Sequence, residues 1–188
     1  MLKKIKIGLN GFGRIGRAIT KINLEHDYFD LVLINDINPY VENLAYLFKY
    51  DSTYGSFPGT VESSENKIKI NGKEIICTSC SKLNTAPWEE HDVSIIIDAS
   101  GVESNIDDAK EIVKQGKVQK VIITHSSTET DNEIIMGVND ELLTKDHHVV
   151  SSSICDANAL AHIMKWIDNE YGIINGSITT LHPWLSYQ

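Results

Sequence analysis

The chain has few cysteines, no excess of basic residues and no long apolar run. Three cysteines among 188 residues, an odd number, do not predict a disulfide framework and favour the reducing cytoplasm. A formal net charge of −9 argues against nucleic acid or an anionic membrane surface as a partner. No apolar stretch approaches the roughly 20 residues of a membrane-spanning helix, and Met1 to Lys4 lead directly into a strand pattern, without a signal peptide. We therefore expect a globular cytoplasmic protein with no nucleic-acid or membrane partner.

Two of the cysteines, Cys77 and Cys80, have the spacing of a metal-binding or redox motif. Zinc sites of this kind need a second pair of cysteine or histidine ligands, and none follows at the required distance. A thioredoxin-like motif leads into a helix, whereas residues 81–87 have the composition of a loop. We therefore predict neither a metal site nor a redox role for this pair.

The most informative segment is a glycine turn between two apolar runs. Residues 5–9 are mostly apolar, and residues 11–16 read Gly-Phe-Gly-Arg-Ile-Gly. Residues 31–34 form a second apolar run, which ends shortly before Asp36. Strand, glycine turn, helix, strand and acidic residue in this order predict a dinucleotide-binding βαβ unit.

Each feature of this unit has a physical role at such a site. Gly11 permits the tight turn, Gly13 lets the backbone approach a pyrophosphate, and Gly16 lets the helix pack closely on the strand. The helix N-terminus offers unpaired N–H groups and a partial positive charge to the phosphates. Asp36 is placed to accept hydrogen bonds from the adenosine ribose, and no arginine follows it to neutralise a 2′-phosphate. We therefore predict NAD rather than NADP as the cofactor.

Strand and helix patterns alternate along the remaining chain, which predicts a Rossmann-type, doubly wound and mostly parallel α/β sheet. The patterns are a helix at 41–50, a hairpin around Asn71-Gly72, a strand at 92–98, a helix at 105–115, and strands at 118–124, 134–138 and 148–151. In such sheets the ligand binds outside the carboxyl ends of the strands. The predicted cofactor-binding residues are therefore Asn10, Gly11, Phe12, Gly13, Arg14, Ile15, Asp36, Ser100, Gly101 and Thr124.

The third cysteine, Cys155, follows the last of these strand patterns. An apolar helical face begins just after it and runs through Trp166 and Ile167. Cys155 is therefore predicted at a helix N-terminus, where the helix dipole favours a thiolate. On the residues alone, a buried structural cysteine remains the alternative.

Short motifs along the whole chain resemble those of the N-terminal part of the glyceraldehyde-3-phosphate dehydrogenase family. They lie in order at residues 10–17, 34–36, 48–55, 71–73, 100–102 and 136–139. The resemblance implies an NAD-binding Rossmann domain over residues 1–150. It places at 151–188 the incomplete start of an α+β catalytic domain, with a strand at 177–182. It also implies NAD as cofactor, a small-molecule aldehyde with or without a phosphate group as substrate, and a homotetramer for the full-length protein.

The resemblance also implies the catalytic residues. Cys155 matches the nucleophile, whose thiolate adds to an aldehyde to form a thiohemiacetal and, after hydride transfer to the nicotinamide, a thioester. His182, in Thr179-Thr180-Leu181-His182, matches the histidine that activates the thiol and carries its proton. We therefore expect an NAD-dependent aldehyde oxidoreductase that acts through this pair.

The sequence departs from the family at the phosphate sites. Phosphorylating members have Ser-Cys-Thr-Thr-Asn-Cys around the nucleophile, where this chain has Ile154 and Asp156 on either side of Cys155. Two hydroxyl donors are lost and a carboxylate that repels phosphate is gained. Leu185 stands where the family has a threonine that binds the phosphate of the substrate. The departures therefore predict a weakened phosphate pocket.

Three activities stay open at this point. They are phosphorylating oxidation, an erythrose-4-phosphate-type or other non-phosphorylating oxidation, and NAD binding by a regulatory protein that has lost catalysis. Retention of both Cys155 and His182 favours an enzyme, because a regulatory protein has no need for the pair.

Overall fold

The computed structural model of the protein describes residues 4–181. The strands within these residues are short, and most follow the apolar runs of the sequence. They are β1 (Lys6–Asn10), β2 (Asp30–Asn35), β3 (Tyr50–Asp51), β4 (Gly55–Ser56), β5 (Val61–Ser64), β6 (Lys67–Ile70), β7 (Lys73–Thr78), β8 (Ile95–Asp98), β9 (Lys120–Ile123), β10 (Asn132–Glu133) and β11 (Val149–Ser151).

The α-helices within the described residues end where the next residue has a positive φ, at Asp27, Gly116 and Gly172, or is extended, at Tyr50. They are α1 (Arg14–His26), α2 (Val41–Lys49), α3 (Asn105–Gln115) and α4 (Cys155–Tyr171). Helix α3 has residues typical of a helix start and of a helix end. Asp107 and Asp108 lie in its first turn, where the helix dipole favours negative charge. Gly116 follows its last residue with a φ of 89°, which glycine adopts without strain. None of the helices in residues 4–181 is long and apolar enough to cross a membrane.

Nine strands form one sheet in the order β10-β11-β9-β8-β1-β2-β7-β6-β5, and β3 pairs with β4 in a separate hairpin. The pairings from β10 through to β7 are parallel, whereas β5, β6 and β7 pair antiparallel. The strand order reverses at β1, which has β2 on one side and β8 on the other. This confirms the predicted Rossmann-type, doubly wound sheet. It also places the expected ligand crevice at the carboxyl ends of β1 and β8.

The hydrophobic core lies on both faces of the sheet. One cluster, which includes Ile34 and Phe48, joins the sheet to α1 and α2. A second cluster, which includes Leu33 and Ile106, joins it to α3. Because Leu33 and Ile34 are successive residues of β2, their side chains point to opposite faces. Both faces of the central strands are therefore covered, as the continuous apolar runs predict.

Two strand predictions were wrong. Residues 134–138 do not form a strand: the Asn139 side chain accepts the Ile135 N–H at 2.7 Å and donates to the Glu133 carbonyl at 2.9 Å. The backbone N–H of Val138 also donates to Ile135, so the apolar run folds into a turn directly after β10. Residues 177–181 are exposed and belong to no strand among the described residues. The predicted strand at 177–182 is therefore absent over that part.

Helix α4 differs from the other helices because none of its 17 residues is buried. Ile163 and Trp166 on its apolar side are both more than half exposed. Polar contacts attach the helix to the turn after β10. His162 Nε2 lies 2.8 Å from the Met136 carbonyl oxygen, and Lys165 Nζ donates to the Val138 carbonyl at 2.5 Å.

Candidate functional site

The carboxyl ends of β1, β2 and β8 are joined by a buried network of amide and carboxylate side chains. Asn10 Nδ2 donates to Asp98 Oδ1 at 2.9 Å, and Asn35 Nδ2 donates to Asn10 Oδ1 at 2.8 Å. Asp98 is 0% exposed and Asn10 is 5% exposed. Buried polar groups need hydrogen-bond partners, and in this network each side chain is the partner of its neighbour along the edge of the sheet. The network fixes the floor of the crevice.

The same network extends in both directions along the edge of the sheet. On one side, Asn35 Oδ1 accepts the Thr78 hydroxyl at 2.9 Å and the Cys80 N–H at 2.8 Å. On the other side, Asn105 Nδ2 donates to Asp98 Oδ2 and to Ser100 Oγ, each at 3.0 Å. The start of α3 and the loop after β7 are therefore tied to the strands that border the crevice.

The glycine turn after β1 is packed as closely as its sequence predicts. Gly11 has a φ of 86°, and a Cβ atom at this position would lie 2.7 Å from the Ser100 backbone nitrogen. A Cβ atom at Gly16 would clash with the carbonyl oxygen of Gly11. Larger residues are therefore excluded at both positions, because backbone atoms rather than flexible side chains occupy the space.

Asp36 holds this turn from the neighbouring strand. Its Oδ2 accepts the backbone N–H of Phe12 at 2.6 Å, and its Oδ1 accepts the N–H of Asn38 at 2.9 Å. The Phe12 ring itself is buried and stacks on Phe48 with 5.8 Å between ring centroids. Phe12 therefore presents its backbone to the crevice, while its side chain belongs to the core.

The N-terminus of α1 opens towards solvent at the mouth of the crevice. Gly13 caps the helix without a side-chain hydrogen bond, and a Cβ atom there would meet no atom within 4 Å. Ile15 in the first turn is exposed. Open space before unpaired helical N–H groups is the arrangement that accepts a phosphate.

A cluster of basic side chains on this helix surrounds Asp51, whose side chain is 3% exposed. Arg17 Nε and Lys21 Nζ each lie 3.6 Å from Asp51 Oδ2. The backbone N–H groups of Thr53 and Tyr54, followed by the two cations, lower the pKa of Asp51 to about 2. Arg14 lies at the exposed edge of this cluster and donates to the hydroxyls of Thr53 and Ser52 at 2.6 and 3.0 Å.

Cys155 is the first residue of α4, as predicted, and its thiol is exposed and free. Its Sγ donates to Asp156 Oδ1 at 3.7 Å, and Asp156 Oδ2 accepts the Thr180 hydroxyl at 3.3 Å. The Asn158 side chain donates to the Ile154 carbonyl at 2.9 Å, which holds the turn that leads into the helix. The thiol therefore lies at a helix N-terminus with a carboxylate directly beside it.

Comparison with known proteins assigns this site to a family. Residues 5–106 match the family model described as glyceraldehyde 3-phosphate dehydrogenase, NAD binding domain, which covers more than half of the chain. The chain belongs to the glyceraldehyde 3-phosphate dehydrogenase family.

Individual relatives agree with this result. The glyceraldehyde-3-phosphate dehydrogenase of Monascus purpureus is 38% identical over 183 residues, which are 97% of this chain and 54% of that protein. The enzyme of the same name from Thermotoga maritima is 36% identical over 185 residues, 97% of this chain and 55% of that protein. That of Schistosoma mansoni is 34% identical over 188 residues, 100% of this chain and 55% of that protein. The chain thus spans about half the length of these relatives.

The crevice fits the NAD that the family domain binds. The open space before Gly13 and the uncapped start of α1 suit a pyrophosphate, and Asp36 lies at the end of β2, where a ribose is expected. Within residues 4–181 no group of three or more histidine, cysteine, aspartate or glutamate side chains is placed to hold a metal ion.

The structure brings most of the predicted cofactor residues to one edge. Asn10, Gly11 and Asp36 line the crevice, and Thr124 donates its N–H to the Asp98 carbonyl at 3.0 Å directly after β9. Gly101 is exposed beside Ser100, with a φ of 74°. His182 and Leu185 lie outside the described residues. The position of His182 relative to Cys155 therefore stays a prediction.

Two features of the site were not predicted from the sequence. Asp98 and Asn35 are central to the buried network, and each ends an apolar run just as Asn10 does. The basic cluster could have been recognised in the sequence, because the basic residues 14, 17 and 21 fall on one face of α1 at helical spacing. Their common partner Asp51 is 30 residues away from Lys21 in sequence, so no local pattern identifies it.

Proposed function

We propose that the chain is the NAD-binding part, with the first segment of the catalytic domain, of an NAD-dependent aldehyde dehydrogenase. The observation that supports this most strongly is the joint presence of the crevice at β1 and β8 and an exposed free thiol at the start of α4. NAD, when bound, supplies the hydride acceptor for the oxidation. The chain supplies the nucleophile.

Cys155 is the proposed nucleophile. Its thiolate adds to the aldehyde carbonyl, and the acyl group is then held on the sulfur as a thioester until another molecule releases it. His182, proposed from the family resemblance, takes the proton of the thiol and returns it later. The Asp156 carboxylate accepts a hydrogen bond from the thiol, with 3.7 Å between Sγ and Oδ1. It therefore orients the S–H bond before His182 takes the proton.

Water is the proposed acceptor of the acyl group, which makes the oxidation non-phosphorylating. Asp156 lies beside the thiol, and two like charges about 4 Å apart at an effective dielectric near 20 repel by roughly 4 kcal/mol before screening by solvent. Ile154 contributes no hydroxyl donor on the other side. An inorganic phosphate ion is therefore disfavoured where the thioester forms, whereas a neutral water molecule is not.

We also propose the domain boundary, the assembly state and the location that the sequence predicts. The boundary between residues 150 and 151 falls at the end of β11, and it is supported by the change from buried residues in β11 to a helix, α4, with no buried residue. A homotetramer of the full-length protein is proposed from the family resemblance. The free state of Cys77, Cys80 and Cys155 supports a cytoplasmic location.

The proposed function is tested with the full-length gene product and a panel of aldehydes, with NAD and with or without inorganic phosphate. We expect NADH formation that depends little on phosphate and a carboxylic acid as product. The Cys155→Ser variant, with Cys80→Ser as the matched control, should lose oxidation, while the control should keep it. Absence of NADH formation with every aldehyde would contradict the enzymatic proposal and favour a regulatory NAD-binding protein.

The 188-residue chain provides a second test. We expect it to bind NAD, measured by calorimetry, without oxidising aldehydes, because it spans about half the length of its relatives. Aldehyde oxidation by this chain would show that residues 1–188 already contain a complete substrate site.

A further inference from the structure

The backbone immediately before Cys155 adopts a conformation that L residues rarely adopt. Ser153 has a φ of 65° and is 2% exposed. This left-handed conformation is unfavourable for a residue other than glycine, asparagine or aspartate, and it persists only where the surroundings hold it. The turn at Ser153 determines the direction in which the chain enters α4, and therefore the position of the thiol two residues later.

Hydrogen bonds hold this turn on both sides. The Ser153 N–H donates to Ser151 Oγ at 2.9 Å, and the Ser151 hydroxyl donates to the His125 carbonyl at 2.6 Å. The Ser153 hydroxyl donates to Glu133 Oε1 at 2.6 Å. The other carboxylate oxygen of Glu133 accepts the Ser126 hydroxyl at 2.5 Å. Glu133 thus connects the segment after β9 to the segment before α4.

We propose that Glu133 is a positioning residue which, through Ser153, holds Cys155 at the N-terminus of α4; this inference rests on the proposed role of Cys155 as nucleophile. Glu133 lies on β10, whose pairing with β11 sets it opposite Ser151. Its backbone is therefore fixed by the sheet while its carboxylate binds the turn. Loss of the carboxylate frees Ser153 to leave the left-handed conformation, and the first turn of α4, which begins at Cys155, then frays, so that the thiol loses the helix dipole.

Glu133 also carries a negative charge, and the two effects of that residue have opposite signs. The negative charge of Glu133 would disfavour the Cys155 thiolate, whereas its hydrogen bonds, which hold the turn before α4, favour the thiolate. Among the described residues, further titratable groups of this region are Asp156 and His162 on α4 and His125 after β9, and substitution at residue 133 replaces none of them. A neutral residue that keeps the hydrogen bonds therefore separates the two effects.

The experiment measures the rate at which iodoacetamide labels Cys155 in the 188-residue chain, between pH 5 and 10. Peptide mass spectrometry assigns the label to this cysteine. For Glu133→Ala we expect labelling at neutral pH to slow by about three- to tenfold and the midpoint of the pH profile to rise. For Glu133→Gln we expect rates within about twofold of the unchanged chain, because the amide can accept from one serine and donate to the other.

Two serine variants complete the comparison. Ser153→Ala removes the hydroxyl that Glu133 binds, and it should slow labelling in the same direction as Glu133→Ala. Ser126→Ala removes the other hydroxyl on the same carboxylate and should leave labelling unchanged. If Glu133→Ala does not fold, as judged by thermal unfolding, the labelling rate of Ser153→Ala tests the same hydrogen bond.

Two results would overturn the inference. One is labelling of Glu133→Ala and Ser153→Ala at the unchanged rate. The other is faster labelling with a lower midpoint in both Glu133 variants, which would show that the residue acts as a charge. Labelling does not require aldehyde oxidation, so failure of the proposed function is detected separately by the NADH assay.

Discussion

The Asp36 carboxylate at the end of β2 accepts the backbone N–H of Phe12, in the glycine turn after β1, at 2.6 Å. The same carboxylate is the predicted partner of the adenosine ribose. One acidic side chain therefore shapes the turn that faces the pyrophosphate and sets the charge that a ribose or its 2′-phosphate meets. Asparagine at this position removes the charge and keeps an acceptor for the Phe12 N–H.

Asp36→Asn should reduce the preference for NAD over NADP by about tenfold. The amide oxygen can still accept the Phe12 N–H, while the hydrogen bond from the Asn38 N–H and the charge that repels a 2′-phosphate are both lost. The measurement is calorimetric titration of both dinucleotides. Glu42→Gln, which removes an exposed carboxylate in the first turn of α2, should leave the preference unchanged. Equal affinities of the unchanged protein for NAD and NADP would contradict the assigned role of Asp36.

Asp98→Ala should destabilise the fold by about 3 kcal/mol. The substitution removes the acceptor of the Asn10 amide and of the Ser100 N–H, and one of the two acceptors of the Asn105 amide, and each unsatisfied buried donor costs about 1–3 kcal/mol. Urea unfolding measures the loss. Glu103→Ala, at an exposed residue two positions before α3, should change stability by less than about 0.5 kcal/mol. A similar small change for Asp98→Ala would show that water replaces the lost acceptor.

The stability of the protein should fall as the pH decreases through the range in which Asp51 titrates. Its pKa is lowered to about 2 in the folded protein, first by the N–H groups of Thr53 and Tyr54. A lowered folded-state pKa stabilises the protein above the unfolded value near 4. This stabilisation, roughly 2 kcal/mol, is lost between about pH 4 and pH 2. Urea unfolding at a series of pH values measures it.

Asp51→Asn isolates this contribution. The variant should be less stable at neutral pH, and its stability should decrease less between pH 4 and pH 2. Glu74→Gln is the matched control, because the Glu74 pKa is also lowered, by its hydrogen bond and ion pair with Lys67, but the pair is exposed. We expect the control to change the pH dependence little. An unchanged acid profile for Asp51→Asn would assign the acid loss to other carboxylates.

Ile154→Ser together with Asp156→Thr should restore some dependence on inorganic phosphate in the full-length enzyme. The two substitutions return two hydroxyl donors and remove the repelling charge next to Cys155. The measurement is the NADH rate as a function of phosphate, with identification of the product as acid or acyl phosphate. Saturable phosphate dependence of the unmodified enzyme would show that other residues form the phosphate site.

Local patterns predicted those parts of the fold that depend on neighbours in sequence. The helix at 105–115 was predicted at its observed bounds from its apolar face, and in the structure acidic residues lie in its first turn and Gly116 ends it. The hairpin at Asn71-Gly72 followed from its turn residues, both of which have positive φ. The apolar run at 134–138 failed because the side chain of Asn139 closes it into a turn, and hydrophobic periodicity does not register a hydrogen bond of that kind.

In the site, too, some residues could be predicted from local sequence patterns and others could not. Asn10 and Asp36 could be proposed as crevice residues because parallel strands bring their carboxyl ends to one edge. The link from Glu133 to Ser153 joins residues 20 positions apart, across a strand pairing that periodicity did not predict. Such contacts depend on register between strands, which a single sequence does not specify at a short edge strand.

The exposure of α4 has a consequence for dynamics. The sheet is held by two apolar cores, whereas α4 is held by hydrogen bonds at its first turns and by contacts of two side chains with the turn after β10. Segments with few buried apolar contacts open at lower free energy than the global unfolding of a domain. Amide protons of α4 in the 188-residue chain should therefore exchange with deuterium well before those of β1 and β8. Cys155 then lies at the junction of two cooperative units, one that opens only when the whole domain unfolds and one, α4, that opens by itself.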